Sequence, residues 1–235
     1  MSSITWGLQI NNEGIQNVSD MSILAMSLNM TNLEKDDLSI TLDYINGKDL
    51  IKFGDKVKLY LNDAVYFQGV AASPKNSFTP DEETIDITVE GLWTQLSKKQ
   101  DINSSSYDES LYKVQDVNVR DYRNYTVDDN QLRQIYTTKS LLLQVLEDAQ
   151  TNGVQFDIGG ILLEDYAGYS FVLSNPNILE MINAILAIHP DYTAYVDYST
   201  ENPTLHVVNK KVDIPVVTCW HNFYFLRSYA GAWDR

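Results

Sequence analysis

Strict alternation of apolar and polar residues runs through the first hundred positions of this chain and commits them to strands. Ile85, Ile87 and Val89 alternate with Asp86, Thr88 and Glu90. Leu38, Ile40, Leu42 and Tyr44 alternate with Ser39, Thr41 and Asp43, and Val57, Leu59 and Leu61 with Lys56, Lys58 and Tyr60. A period of two places each apolar row on one face of a sheet and leaves the other polar. Ile4 to Ile10 and Ala64 to Ala72 add two more runs, and Leu24, Met26, Leu28 and Met30 form an apolar row within Ile23 to Met30. Turn residues stand between them: Asn46-Gly47 and the two-residue connection Asn62-Asp63. Six such strands predict a compact barrel or sandwich over residues 1 to 98. Its interior is expected to include Leu59, Leu61, Ile85, Ile87 and Val89.

Residues 99 to 136 are polar, with Ser104 to Ser106, many Asp and Asn, and scattered tyrosines. They read as a linker or an insertion, either a plain surface loop or a structured element. From 137 to 235 the pattern becomes mixed α+β. Thr137 or Thr138 can cap a helix running through Gln150, with Leu141, Leu142, Val145, Leu146 and Ala149 on one face and Asn152-Gly153 as the stop. A second helix is expected with Asn175 as cap and Pro176 at its first position. Ile178, Leu179, Ile182, Ile185 and Leu186 form its buried stripe, and Pro190 ends it. Phe156 to Leu163 and Tyr169 to Leu173 read as short strands. Tyr192 to Tyr198 and Thr204 to Val208 read as a hairpin turning through Ser199 to Pro203. The chain after Val212 reads as a further strand and an irregular, aromatic-rich terminus. The fold class is thus mainly β with two α-helices: a β-barrel domain and a mixed helix and hairpin domain.

Fifteen tyrosines and 44% apolar residues suit a globular, strand-rich protein. No apolar run approaches the roughly 20 residues that span a bilayer, and no basic region followed by an apolar one opens the chain. This predicts a soluble protein without a signal of its own. The formal charge of −15 argues against a protein that grips phosphate backbones. Cys219 is the only cysteine, so no internal disulfide forms, and it reads as a small apolar strand residue. His189, His206 and His221 have no metal-ligand spacing, and no nucleophile elbow or phosphate loop is present. Asp36-Asp37, Asp81-Glu82-Glu83, Asp128-Asp129 and Glu164-Asp165 read mostly as solvated loop charge rather than as a glycosidase pair. Gly159-Gly160 reads as a turn, not a nucleotide fingerprint. No residue is assigned a catalytic, cofactor or metal role.

Two stretches carry a family resemblance. The segment Phe53 to Gly69, with Gly54-Asp55 opening a strand and Phe67 and Gly69 closing the next, resembles a hairpin of the tail or baseplate hub proteins of tailed phages and prophages, the late-control-protein-D-like family. The block Pro190 to Lys211 resembles their central region. Such hubs form trimers at the distal end of the tail tube and use two similar β-barrels per subunit to match a six-fold ring. The resemblance implies a non-enzymatic virion component, assembled in the host cytoplasm, that joins the tail tube to the tip or spike proteins. It also implies a homotrimer lining the DNA exit path, where acidic walls would let DNA pass without sticking. With so few residues after Val212, a second barrel needs early and late strands to combine, so the chain is expected to be a fragment or a reduced hub. The alternative reading is a carbohydrate- or receptor-binding module of the tail tip using tyrosines between 107 and 136. An enzyme acting on cell-wall polysaccharide ranks third.

Overall fold

The alternating runs form strands β1 (Trp6–Ile10), β2 (Gln16–Asn17), β3 (Ile23–Thr31) and β4 (Lys35–Asp43), followed by the one-turn helix α1 (Tyr44–Gly47). Next come β5 (Lys56–Leu61), β6 (Ala64–Ala71), β7 (Lys75–Phe78), β8 (Glu83–Glu90) and the short helix α2 (Leu92–Lys98). Then follow β9 (Val119–Arg123), β10 (Thr126–Val127), β11 (Arg133–Gln134), α3 (Thr138–Thr151), β12 (Asp157–Ile161) and β13 (Ser170–Ser174). Helix α4 (Ile178–Ile188), β14 (Tyr192–Asp197), β15 (Thr204–Asn209) and β16 (Phe223–Leu226) complete the order. The computed structural model describes residues 5–78, 83–99, 119–123, 126–127, 133–134, 137–166, 170–174, 176–211 and 223–226. The chain divides into two units: Met1–Thr94 with Tyr198–Glu201 and Thr218–Arg235, and Gln95–Asp197 with Asn202–Val217.

The first unit is one antiparallel sheet in the order β16-β3-β4-β8-β6-β5-β1-β2, with β7 also paired to β8. The late strand β16 pairs with the early strand β3, so distant parts of the sequence share one sheet. Its core is the predicted apolar rows: Leu38, Ile40, Leu42, Val57, Leu59, Ile85, Ile87 and Val89 are all buried. Asn62 and Asp63 both have positive φ, 48° and 67°, the geometry of a tight two-residue hairpin turn. Three sequence readings are corrected. The β3–β4 ladder shifts between Ile23 and Ala25, which makes Leu24 the extra residue. Ile23 therefore joins Met26 and Leu28 in the core, and Leu24 is only half-buried. Leu61 keeps the phase of Leu59 but lies beside the Asn62-Asp63 turn and is only half-buried, and the shift in the β5–β6 ladder falls on β6, where Tyr66 is the extra residue. Asn46-Gly47 lies in α1 rather than in a hairpin, because the Asp43 carboxylate accepts a hydrogen bond from the Ile45 amide and starts a helical turn.

In the second unit, β14 and β15 form the expected hairpin, and β12 runs parallel to β15 in the order β12-β15-β14. Strand β9 pairs with β13 and β10 with β11, so the described residues of the polar stretch from 99 to 136 include three short strands. Helix α3 packs against α4. Every residue of the predicted α3 stripe is buried, and Gly153 closes the helix with φ 88°. Thr137 is the cap, in a capping box with Ser140. The whole predicted α4 stripe is buried too, with Met181 added, since this short helix buries more than one stripe. Its cap is Asn177, not Asn175, which lies outside the described residues. The Asn177 side chain accepts from the Glu180 amide at 2.9 Å, and Glu180 answers by accepting from the Asn177 amide at 2.9 Å. Such a reciprocal box satisfies two donors that the first turn leaves orphaned, and the capping side chain contributes about 1 kcal/mol. Among the described residues there are four helices, not two; α1 and α2 are too short to show a helical period in sequence.

Candidate functional site

Residues from three separate parts of the chain meet around one buried carboxylate in the first unit. Asp36 stands at the start of β4, in phase with Leu38, Ile40 and Leu42, so the pleat that buries that row also turns Asp36 inward, where it is 1% exposed. Its Oδ1 accepts from the Thr94 amide at 2.9 Å, and its Oδ2 accepts from the Tyr198 hydroxyl. The backbones lock as well. The Thr94 hydroxyl donates to the Asp36 carbonyl at 2.7 Å, and the Gly91 amide donates to the same carbonyl at 2.9 Å. Tyr198 is 4% exposed, and its hydroxyl in turn accepts from the Leu92 amide at 3.0 Å. Gly91 makes the convergence possible, because a Cβ there would lie 2.6 Å from Asp36 Oδ2 and 2.7 Å from the Tyr198 hydroxyl.

Burial pushes the Asp36 carboxyl above its ordinary value of 3.8, against the opposing pull of hydrogen bonds from Tyr198, the Thr94 and Trp93 amides and the Thr94 hydroxyl. Burial, followed by the charge and the hydrogen bond of Asp36, holds the Tyr198 phenol well above its usual range, so it stays neutral and remains a donor. A carboxyl whose folded pKa is raised contributes stability that is complete below its unfolded value and is lost as pH rises through the folded value. Asp36→Asn removes this titration while keeping an acceptor for Thr94. The stability of the native chain relative to Asp36→Asn should therefore fall between acid and neutral pH in paired thermal melts. Parallel curves would contradict the assignment.

The other residues singled out in sequence are dispersed. Asp36 and Asp37 are not solvated loop acids: both lie in β4, and Asp37, 6% exposed, is met by Lys35 Nζ at 2.5 Å. Glu164 and Asp165 are exposed in a loop, as read. Asp81, Glu82, Asp128 and Asp129 lie outside the described residues, as do Cys219, His221 and the side chains of the tyrosines between 107 and 136. His189 follows α4, and its Nε2 is hydrogen-bonded to the Thr138 hydroxyl at 2.7 Å; burial lowers its pKa. His206 stacks on Tyr195 with ring centroids 5.0 Å apart and accepts from the Gly160 amide at 3.1 Å. That ring explains Gly159-Gly160, which is no turn but part of β12 at a register shift, where a Cβ on Gly159 would strike the imidazole. Among the described residues, no three His, Cys, Asp or Glu side chains gather in a metal-holding arrangement. No described helix is long and apolar enough to cross a membrane.

The Phe53 to Gly69 hairpin has the geometry its residues promised. Gly54 has φ 85°, its amide donates to the Ala71 carbonyl at 2.9 Å, and the Asp55 side chain accepts from the Lys52 amide at 2.7 Å. Phe67 is fully buried. Gly69 lies against the backbone of Glu90, where a Cβ would meet the carbonyl oxygen and stand 2.7 Å from its carbon.

No family model and no curated protein matches the chain. Solved structures do. A tail protein from Neisseria meningitidis MC58 matches 88% of this chain and 51% of its own, at 7% identity and a TM-score of 0.53. The 43 kDa tail protein of prophage MuSo2 from Shewanella oneidensis matches 86% of this chain and 52% of its own, at 12% identity and a TM-score of 0.50. The E. coli c3393 protein, a type VI secretion component with structural similarity to the T4 bacteriophage tail proteins gp27 and gp5, matches 86% of this chain and 48% of its own, at 12% identity and a TM-score of 0.50. At these identities the likeness is one of fold, and this chain spans about half the length of the proteins it matches. The chain has the fold of phage and prophage tail proteins, the family its two hairpin segments resemble.

Proposed function

We propose that this chain is a non-enzymatic structural component of a phage tail, a hub that joins the tail tube to the tip. The observation that carries this reading is the match to two tail proteins over 88% and 86% of the chain. The local geometry of Gly54, Asp55, Phe67 and Gly69 agrees with the hub-type hairpin. In this reading the nine-stranded sheet of the first unit is the hub barrel. Three copies form a ring on the tube, and edge strands give each sheet a place to continue into a neighbour. The charge of −15 per chain suits a channel through which DNA slides without binding.

Cryo-electron microscopy of intact tails carrying a tagged copy of this chain tests the proposal. The tag should form a three-fold ring at the end of the tube away from the head. A head-proximal position, or a single peripheral fibre, would reject it.

A further inference from the structure

The first unit holds residues 198–201 as a protein holds a bound peptide. Asp197 and Asn202, on either side, belong to the second unit, so this four-residue segment enters and leaves the first unit without a neighbouring residue in it. Three of the direct contacts are to main-chain carbonyls, which any sequence would present. Gln68 Nε2 donates to the carbonyls of Tyr198 and Thr200, both at 3.0 Å, and Lys58 Nζ donates to the Glu201 carbonyl at 2.8 Å. Gln68 is itself buried, 5% exposed, and so is a built donor rather than a chance surface contact.

One side chain is read closely. The Tyr198 ring lies 5.1 Å from that of Phe67, and its hydroxyl satisfies both the Asp36 carboxyl and the Leu92 amide in the space that Gly91 leaves. A phenylalanine would fill the same volume yet leave the Leu92 amide without its acceptor and take one donor from the Asp36 carboxyl.

We propose that the first unit carries a recognition socket for a tyrosine-led peptide segment, which Tyr198–Glu201 fills as a tethered ligand. The socket reads one phenol and three carbonyls. It is independent of the hub assignment, which concerns where the chain sits in a tail.

The test uses the chain with residues 198–201 deleted, so that Asp197 joins Asn202 and the socket loses its occupant, and a labelled peptide with the sequence of residues 197–202, followed by fluorescence anisotropy. The peptide should bind this variant and bind the native chain, whose socket is filled, at least about tenfold more weakly. A peptide with phenylalanine in place of tyrosine should lose about 10- to 100-fold, the consequence of unpaired buried polar groups. Equal binding of the two peptides, or none to a chain lacking residues 198–201 with native circular dichroism, would overturn the proposal. Should that variant fail to fold, hydrogen exchange on Tyr198→Phe decides. The Leu92 amide should exchange at least about tenfold faster than in the native chain, and an unchanged rate would mean that the hydroxyl is not read.

Discussion

Ile87→Asp unfolds the first unit. Ile87 is 1% exposed in β8, directly opposite Ile40 in β4. Its ladder partner Ile40 and its row neighbours Ile85 and Val89 are buried and apolar, so the substitution buries a charge among them and discards a packed side chain together. The combined cost is about 5 kcal/mol, against a total stability of roughly 5–15 kcal/mol for a typical domain. Urea titration followed by circular dichroism should show the transition lost or moved to very low denaturant. Thr88→Asp, one residue on and facing the other side, is the control and should shift the midpoint little. Similar midpoints for the two variants would mean that the pleat is in the opposite phase.

Gly69→Ala has the next largest effect expected. Strands β6 and β8 are joined through only two register pairs, Val70 with Glu90 and Ala71 with Val89, and Gly69 adjoins that seam. The new methyl would collide with Glu90 main-chain atoms, which cannot rotate away as a side chain could. A loss of about 3 kcal/mol is expected, at the upper end for overpacking by one methyl, because the seam connects β5, β1 and β2 to the rest of the sheet. Gly14→Ala is the matched control, since a Cβ there meets nothing within 4 Å. Thermal melts of the pair separate a steric effect from any general loss of backbone freedom. Equal melting temperatures would remove Gly69 from its place at the seam.

Local pattern was enough to find most strands, both long helices and nearly all of their buried faces. Period-two and period-3.6 rows are written in neighbouring residues, and burial follows from phase. The same logic, pursued one residue pair further, reaches Asp36, which shares the parity of Leu38, Ile40 and Leu42. Its acidic character and its neighbour Asp37 pointed instead to a solvated loop. The register shift that exchanged Ile23 for Leu24 left no comparable trace. A bulge depends on how two strands align, and neither strand alone encodes it.

What the chain determined by itself was the alternation that makes the first hundred residues strands, the two amphipathic helices, the Asn62-Asp63 turn, and the Phe53 to Gly69 hairpin, one of the two segments that resemble tail hub proteins. All of these rest on residues within a few positions of one another. Tertiary structure alone decided that β16 closes on β3, that Gly159 makes room for His206, and that Tyr198 meets Asp36 across 162 positions of sequence. These contacts depend on which distant surfaces come together, and a buried polar group is tolerated only where such a meeting supplies its partner.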